Sequence, residues 1–298
     1  MRYRILGSTG LRVSVIGLGT WQFGGEWGRT FSQAEADAIL DKAGELGINL
    51  IDTAECYGDH LSESLIGDYL CRHDRSRWLV ATKFGHHFNR FMDRTEGFSA
   101  ADVRQQLEAS LRALRVETID LYQFHSGSDN QLLNEDLWAM LAEQKWAGKI
   151  RHLGISIFGK GSETQAREAR RLGADALQVI YNCLDRRPEQ LYFPHAWQHN
   201  LGILARVPLA SGLLSGKYRA GVTFPANDWR STFEAEKLRN DLAEVERIRQ
   251  SEVPAGVPMA QWALAWCLRN PLVSAVIPGC QGPAQVASNA AAGDLDIG

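Results

Sequence analysis

Apolar residues recur along this chain in two alternating rhythms. Spacings of three and four residues mark one helical face in each of the segments Ser32–Leu46, Leu61–Cys71, Ala100–Leu114, Asn134–Ala147, Ser162–Leu172, Pro188–His199 and Pro283–Ala292. Between them lie short, nearly continuous apolar runs that read as buried strands: Val15–Gly19, Ile48–Asp52, Leu79–Lys83, Ile119–His125, Ile150–Ser156, Ala176–Tyr181, Ile203–Pro208 and Ser274–Ile277. Ahead of the alternation, Arg2–Leu6 and Arg12–Ile16 flank the turn cluster Gly7-Ser8-Thr9-Gly10 and predict a hairpin. Ser32-Gln33-Ala34-Glu35 has the form of a capping box. Gly47, Gly148 and Gly173 stand where helices stop. Strand–helix alternation implies a parallel sheet. Eight strand–helix units are the number that closes a (β/α)8 TIM barrel. No linker, repeat or low-complexity stretch divides the chain, so residues 1–298 read as one domain. The first strand lacks a Gly-x-Gly-x-x-Gly turn into a helix, which disfavours a dinucleotide-binding doubly wound fold.

Composition narrows the class. With 298 residues and 45% hydrophobic content, the chain is long and apolar enough for a large core. A formal net charge of −3 argues against nucleic-acid binding. No apolar stretch is long enough to cross a bilayer, and the N-terminus lacks the apolar core of a secretory signal. Five scattered cysteines (Cys56, Cys71, Cys183, Cys267 and Cys280) show no metal or disulfide spacing. Reduced thiols in a cytoplasmic protein fit this usage best. His86-His87 has no further spaced ligands, so no metal site is expected.

The polar residues at strand ends carry the candidate chemistry. Asp52 closes one apolar run, Lys83 the next and His125 the one after, and Tyr57 lies in the loop after Asp52. In a parallel α/β barrel these positions gather at one mouth. A tyrosine ordinarily titrates near ~10. An adjacent ammonium lowers that value, and an aspartate keeps the ammonium charged. Two long insertions follow strands, Gly85–Ser99 and Leu213–Leu238. They should overhang the mouth. Their aromatics, Phe88 and Trp229 among them, either line a substrate pocket or pack the loops onto the barrel.

The run Asp52-Thr53-Ala54-Glu55-Cys56-Tyr57-Gly58, continuing to Gly67, resembles the signature of the aldo-keto reductases. Leu6-Gly7-Ser8-Thr9-Gly10-Leu11 and Ile16-Gly17-Leu18-Gly19-Thr20-Trp21 extend the likeness over nearly the whole chain. The resemblance implies a hairpin across the bottom of the barrel and a catalytic tetrad of Asp52, Tyr57, Lys83 and His125. It implies NADPH as cofactor, with NADH open, and reduction of a small-molecule carbonyl. In that reaction Tyr57 gives the proton, Lys83 and Asp52 tune it, and His125 orients the carbonyl. By the same likeness Thr20, Trp21, Asp52, Ser156, Gln178, Arg206, Pro208, Leu209, Ser211, Lys217, Gly279, Gln285 and Asn289 contact the cofactor. Trp21, Tyr57, His125, Phe88 and Trp229 are the expected substrate contacts.

Three positions depart from the family pattern. Ile157 follows Ser156 where many members have Asn. Arg206 stands where many place an aromatic ring against the nicotinamide; it either faces the cofactor or pairs with a carboxylate such as Asp228. Gly279–Asn289 contains no Lys or Arg to hold a 2′-phosphate. The chain also ends soon after its last helical pattern, so an open mouth is expected. Competing readings are oxidation of a sugar or secondary alcohol, a cofactor-binding regulatory subunit, and a phosphate-binding isomerase barrel. The intact tetrad favours catalysis over binding alone, and Gly279 and Gly282 are too little for a phosphate loop after the last strand. The substrate and the oligomeric state are not legible.

Overall fold

The computed structural model describes residues 1–159 and 162–297. Eight parallel strands run in sequence order around a barrel: β1 (Leu18–Gly19), β2 (Leu50–Asp52), β3 (Leu79–Phe84), β4 (Ile119–His125), β5 (Ile150–Ser156), β6 (Ala176–Ile180), β7 (Gly202–Arg206) and β8 (Val273–Val276). Parallel bridges from Ile16 to Val276 and from Gly19 to Gly279 join the last strand to the first and close the ring. Its core residues read as apolar runs because both faces of each strand are covered, by helices outside and by side chains inside.

The expected hairpin forms from Tyr3–Ile5 and Arg12–Ser14. Leu6, Leu11 and Val13 pack with Leu50, Ala81, Leu121, Ala176, Leu204 and Ala275, so the hairpin plugs the barrel below the strands. Leu6 is 1% exposed, and truncating such a side chain costs about 2–5 kcal/mol. Arg4 donates from Nη2 to the Leu268 carbonyl at 2.7 Å, which ties the plug to the helix Met259–Arg269. The bottom is thus sealed, and any site must open at the other end.

Local signals explain most elements. The capping box forms: Ser32 N–H donates to Glu35 Oε2 at 2.8 Å, and Glu35 N–H to Ser32 Oγ at 3.3 Å. The helix then spans Gln33–Glu45. Gly47, Gly148 and Gly173 take positive φ, as the stops require. Four features differ from the sequence reading. Pro188–His199 is two helices, Pro188–Leu191 and Phe193–His199, because Pro194 has no N–H to continue the first. The helix expected over Ser162–Leu172 covers only Glu163–Glu168. The first insertion holds an antiparallel hairpin, His86–Arg90 with Asp93–Glu96, and the second runs into a long helix, Ala235–Ser251, followed by Met259–Arg269. Trp138 and Trp146 stand eight apart on the helix Glu135–Trp146, a spacing that predicts one shared face toward the barrel. Trp138 is 6% exposed and Trp146 is 91% exposed, because Trp146 ends the last turn beyond the packed face.

Candidate active site

Each candidate side chain reaches the mouth because its strand ends there. Asp52 ends β2, Lys83 lies one residue from the end of β3, and His125 ends β4. Lys83 is fully buried and Asp52 is 3% exposed. Lys83 Nζ donates to Asp52 Oδ1 at 2.7 Å and to the Thr53 carbonyl at 2.7 Å, and meets Tyr57 Oη at 3.3 Å. The other Asp52 oxygen, Oδ2, accepts from Gln178 Nε2 at 2.6 Å and Gln123 Nε2 at 3.3 Å. Burial alone would lower the Lys83 pKa, but the charge of Asp52 and the Tyr57 oxygen turn the net shift upward. Lys83 therefore stays an ammonium at every ordinary pH.

Tyr57 corrects one expectation. Burial pushes its phenol up to about 12, and the pull of Lys83 downward is the smaller effect. The group stands protonated, with an ammonium placed to stabilise the phenolate if a proton leaves. His125 is held well below its ordinary value, by burial first and then by Lys83, His86, Arg206 and Arg94. It is neutral at physiological pH.

The loop bearing Tyr57 is fixed by close backbone packing. A Cβ on Gly24 would lie 2.6 Å from the Tyr57 carbonyl carbon, and one on Gly58, at φ +70°, would lie 2.7 Å from the Gly24 carbonyl oxygen. Hydroxyls then link three elements. Thr53 Oγ1 donates to Ser62 Oγ at 2.9 Å, Ser62 Oγ meets Thr20 Oγ1 at 2.9 Å, and Thr20 Oγ1 donates to the Asp52 carbonyl at 2.9 Å. The phenol is held in one place, as positioning of a reacting group demands.

Above this floor lies a cleft of about 980 Å3, at the upper end for small-molecule sites. Thr20, Trp21, Asp52, Tyr57 and His125 line its deep end, with Gln178 and Arg206 beside them. Pro208, Leu209, Ser211 and Lys217 line the wall after β7, and Gly279, Gln285 and Asn289 the wall after β8. A Cβ on Gly279 would fall 1.9 Å from the Gln22 amide nitrogen, so a larger residue there would require the Gln22 side chain to turn aside. Besides Lys83, which lies beneath the Tyr57 hydroxyl, three expected site residues are not on the wall. Ser156 is fully buried and its Oγ donates to Gln178 Oε1 at 3.3 Å, so it props Gln178. Phe88 does not line the cleft; it packs against the Arg94 guanidinium, 5.9 Å from its ring centroid. Trp229 stands behind Trp21, ring centroids 5.1 Å apart, and beside Phe233 at 4.8 Å. For these two aromatics the loop-packing alternative describes the structure.

Sequence reasoning missed a charged clamp over the deep end. Glu26, 2% exposed, accepts from Trp21 Nε1 at 2.7 Å and from the Met92 backbone N–H at 3.0 Å, and pairs with Arg94. It thereby ties the inserted hairpin to the Trp21 turn. A single glutamate in a loop carries no spacing signal, so nothing in the sequence pointed to it. Arg94, Met92 and His86 also line the cleft.

Arg206 does not pair with Asp228. Asp228 is taken by Arg230, with Nη2 to Oδ2 at 2.6 Å. Arg206 Nη2 donates to the Ile157 carbonyl at 3.0 Å, and its Nε is buried without a hydrogen-bond partner among the described residues. Of the cleft cations at the deep end, Lys83, Arg94 and Arg230 each have a carboxylate, and Arg206 forms no ion pair among the described residues.

A (β/α)8 barrel with this buried Asp–Lys–Tyr chain beside a neutral histidine defines an oxidoreductase class. A model of the Aldo/keto reductase family matches residues 15–297, and the chain belongs to that family. It is similar to the oxidoreductase YqkF of Bacillus subtilis, 32% identical over 295 residues, covering 97% of this chain and 90% of that one. Among solved structures it resembles the holo form of the aldo-keto reductase AKR11C1 from Bacillus halodurans. That pair has a TM-score of 0.83 and 29% identity, over 99% of this chain and 92% of that one. It also resembles the glycerol dehydrogenase AKR11B4 from Gluconobacter oxydans, TM-score 0.82 and 32% identity, over 97% and 88%.

Proposed function

We propose that this enzyme reduces aldehydes or ketones to alcohols with NADPH, and accepts NADH. The observation that carries the reading is the buried chain from Asp52 through Lys83 to the Tyr57 hydroxyl, at 2.7 and 3.3 Å, opening into the cleft beside His125. The cleft suits a dinucleotide. The wall after β7 holds several left-handed residues (Val207 at φ 53°, Ala210 at 45°, Ser211 at 58°, Gly212 at 91°), of the kind that turn backbone amides toward anions. Lys217 lines the same wall and forms no ion pair among the described residues, so it is available to a phosphate. Gln178 lines the cleft with its Nε2 committed to Asp52 and Gln123, which leaves a lone pair on its Oε1 for the nicotinamide carboxamide.

When bound, the nicotinamide supplies hydride to the carbonyl carbon. The chain's own residues handle the proton. Tyr57 Oη donates its proton to the carbonyl oxygen as negative charge develops there, and the Lys83 ammonium stabilises the phenolate left behind. Asp52, fixed by two glutamine amides, keeps Lys83 charged. Neutral His125 holds the carbonyl oxygen by an N–H. Trp21 and the Glu26-clamped hairpin cover the deep end and limit water.

The likeness to a glycerol dehydrogenase supports oxidation of an alcohol as a second reading. Arg206 weighs against it: an unpaired cation at the deep end disfavours the cationic oxidised nicotinamide relative to the neutral reduced form.

The test is a fluorescence titration with NADPH and NADH, followed by oxidation of the bound cofactor with 4-nitrobenzaldehyde, in wild type and Tyr57→Phe. Binding with turnover that falls by about 1,000-fold in Tyr57→Phe, within the usual range for a lost general acid, supports the proposal. Binding without turnover of any of several carbonyls overturns it in favour of a cofactor-binding regulatory role.

A further inference from the structure

Beside the deep end of the cleft the fold gathers three side chains of metal-ligating type. Cys56 Sγ sits 3.8 Å from His125 Nδ1. A carboxylate oxygen of Glu55, Cys56 Sγ and a ring nitrogen of His125 all lie within 4.8 Å of one another. No spacing in the sequence announces this set, because His125 ends β4 while the other two lie in the loop after β2. Glu55 is 3% exposed and Cys56 2%. Glu55 Oε1 accepts the His86 backbone N–H at 3.0 Å, and its Oε2 is buried with no hydrogen-bond partner among the described residues. A buried acceptor left open is costly unless something else meets it. His86 Nε2 also donates to the His125 carbonyl at 2.7 Å, so one residue outside the set steadies two of its members.

We propose that Glu55, Cys56 and His125 form a site for a divalent transition-metal ion of the zinc class, and that its occupancy switches the enzyme off. A tetrahedral zinc ion about 2.3 Å from sulfur and about 2.0–2.1 Å from nitrogen holds those two ligands about 3.6 Å apart. Cys56 and His125 already stand close to that separation, and the Glu55 carboxylate closes the remainder by a small side-chain movement. Thiolate and imidazole select such an ion over magnesium or calcium, which prefer oxygen alone. Three protein ligands leave a fourth position for water. Cys56 and His125 both line the cleft, which gives the ion its way in.

Lys83 and Arg94 stand near this set, and a free dication beside them would be repelled. Binding avoids that cost by exchange. Cysteine and glutamate ligate as anions, so two protons leave for solvent as one dication enters, and the set gains no net charge. Burial favours the starting state with both protons in place on Glu55 and Cys56. The consequence for turnover follows from His125, which orients the carbonyl in the proposed reaction. As a metal ligand its ring is drawn toward Cys56 and Glu55 and lost to the carbonyl. The off-switch rests on the reductase reading; the metal site does not.

Titration of the full chain with cobalt(II) tests the site, because a thiolate ligand adds a charge-transfer band in the near ultraviolet. The expected result is a single such band that zinc abolishes by displacement, that Cys71→Ser retains and that Cys56→Ala lacks. In Glu55→Gln the dissociation constant should rise by about tenfold or more, since losing even a residue that only supports a ligand costs about 10–100-fold. X-ray absorption of the zinc-loaded wild type needs no variant to fold. It should show one sulfur at about 2.3 Å among nitrogen and oxygen ligands at about 2.0–2.2 Å. A shell of nitrogen and oxygen alone, or a cobalt band that survives Cys56→Ala, overturns the site. In turnover, zinc should lower kcat by about 100-fold, the cost of a lost donor to the developing oxyanion, and a chelator should restore it. Full turnover by the zinc-loaded enzyme overturns the off-switch. No turnover of any carbonyl by the metal-free protein, with the cobalt band present, would fault the reductase reading and leave the metal site standing.

Discussion

The floor and the rim of the cleft are built on opposite principles. At the floor, Lys83 is fully buried and Asp52 is 3% exposed, and each charge is met by an opposite charge or an amide within 3.3 Å. At the rim after β8, Gln281 is exposed, Gln285 and Ser288 are half-buried, and no Lys or Arg occurs from Gly279 to Asn289. Low dielectric makes each floor interaction large and each missing partner expensive. Water at the rim makes every contact small and replaceable. Chemistry is therefore expected to be intolerant of change at the floor, while cofactor choice is expected to be adjustable at the rim.

The largest effect that tests this contrast is Lys83→Met. It leaves Asp52 buried without its cation, and breaking such a pair costs about 3–5 kcal/mol. We expect a lower midpoint of thermal unfolding together with loss of turnover. In the double variant Asp52→Asn, Lys83→Met, stability should recover and turnover should not. Calorimetry and single-turnover kinetics on the three proteins separate the two roles. Recovery of turnover in the double variant would mean that the pair is only structural.

Arg206 is the intermediate case, a floor residue without the floor's usual partner. A unit charge about 6 Å from another, at an effective dielectric of 20, interacts by about 3 kcal/mol. Replacing Arg206 by Gln should therefore lower the ratio of oxidised to reduced cofactor dissociation constants by about tenfold or more. Isothermal titration with both forms measures the ratio. An unchanged ratio would place the guanidinium out of reach of the nicotinamide and remove its bearing on the direction of reaction.

The same contrast explains what was legible in the sequence. The barrel could be read because β2 to β8 are buried on both faces, which leaves apolar runs ending in polar residues. Asp52, Lys83 and His125 announced themselves by interrupting those runs. Glu26 and Arg94 did not, because they belong to loops whose geometry depends on contacts far along the chain, Trp21 and Met92 among them. Phe88 and Trp229 misled for the same reason: an aromatic in an overhanging loop packs inward or outward according to a backbone path that periodicity does not encode. The upward shift of Tyr57 was also hidden. A motif names the Lys83 neighbour but not the burial that outweighs it.

The smallest expected effect belongs to the rim. Gln281 lines the cleft just before the helix Pro283–Ala291, and its backbone N–H donates to Gln285 Oε1 at 2.7 Å, so its side chain is free to change without disturbing the turn. An arginine there adds a cation near the N-terminal end of a helix, where anions already gain from the helix dipole. In the proposed function that end receives the ribose 2′-phosphate. Charge-assisted contacts at a wet surface are worth about 1 kcal/mol. Gln281→Arg should thus favour NADPH over NADH by about fivefold in dissociation constant, with kcat on a common carbonyl unchanged, because no floor contact moves. A shift in kcat as large as the shift in binding would mean that rim and floor are coupled, and the division between a rigid chemical floor and an adjustable rim would fail.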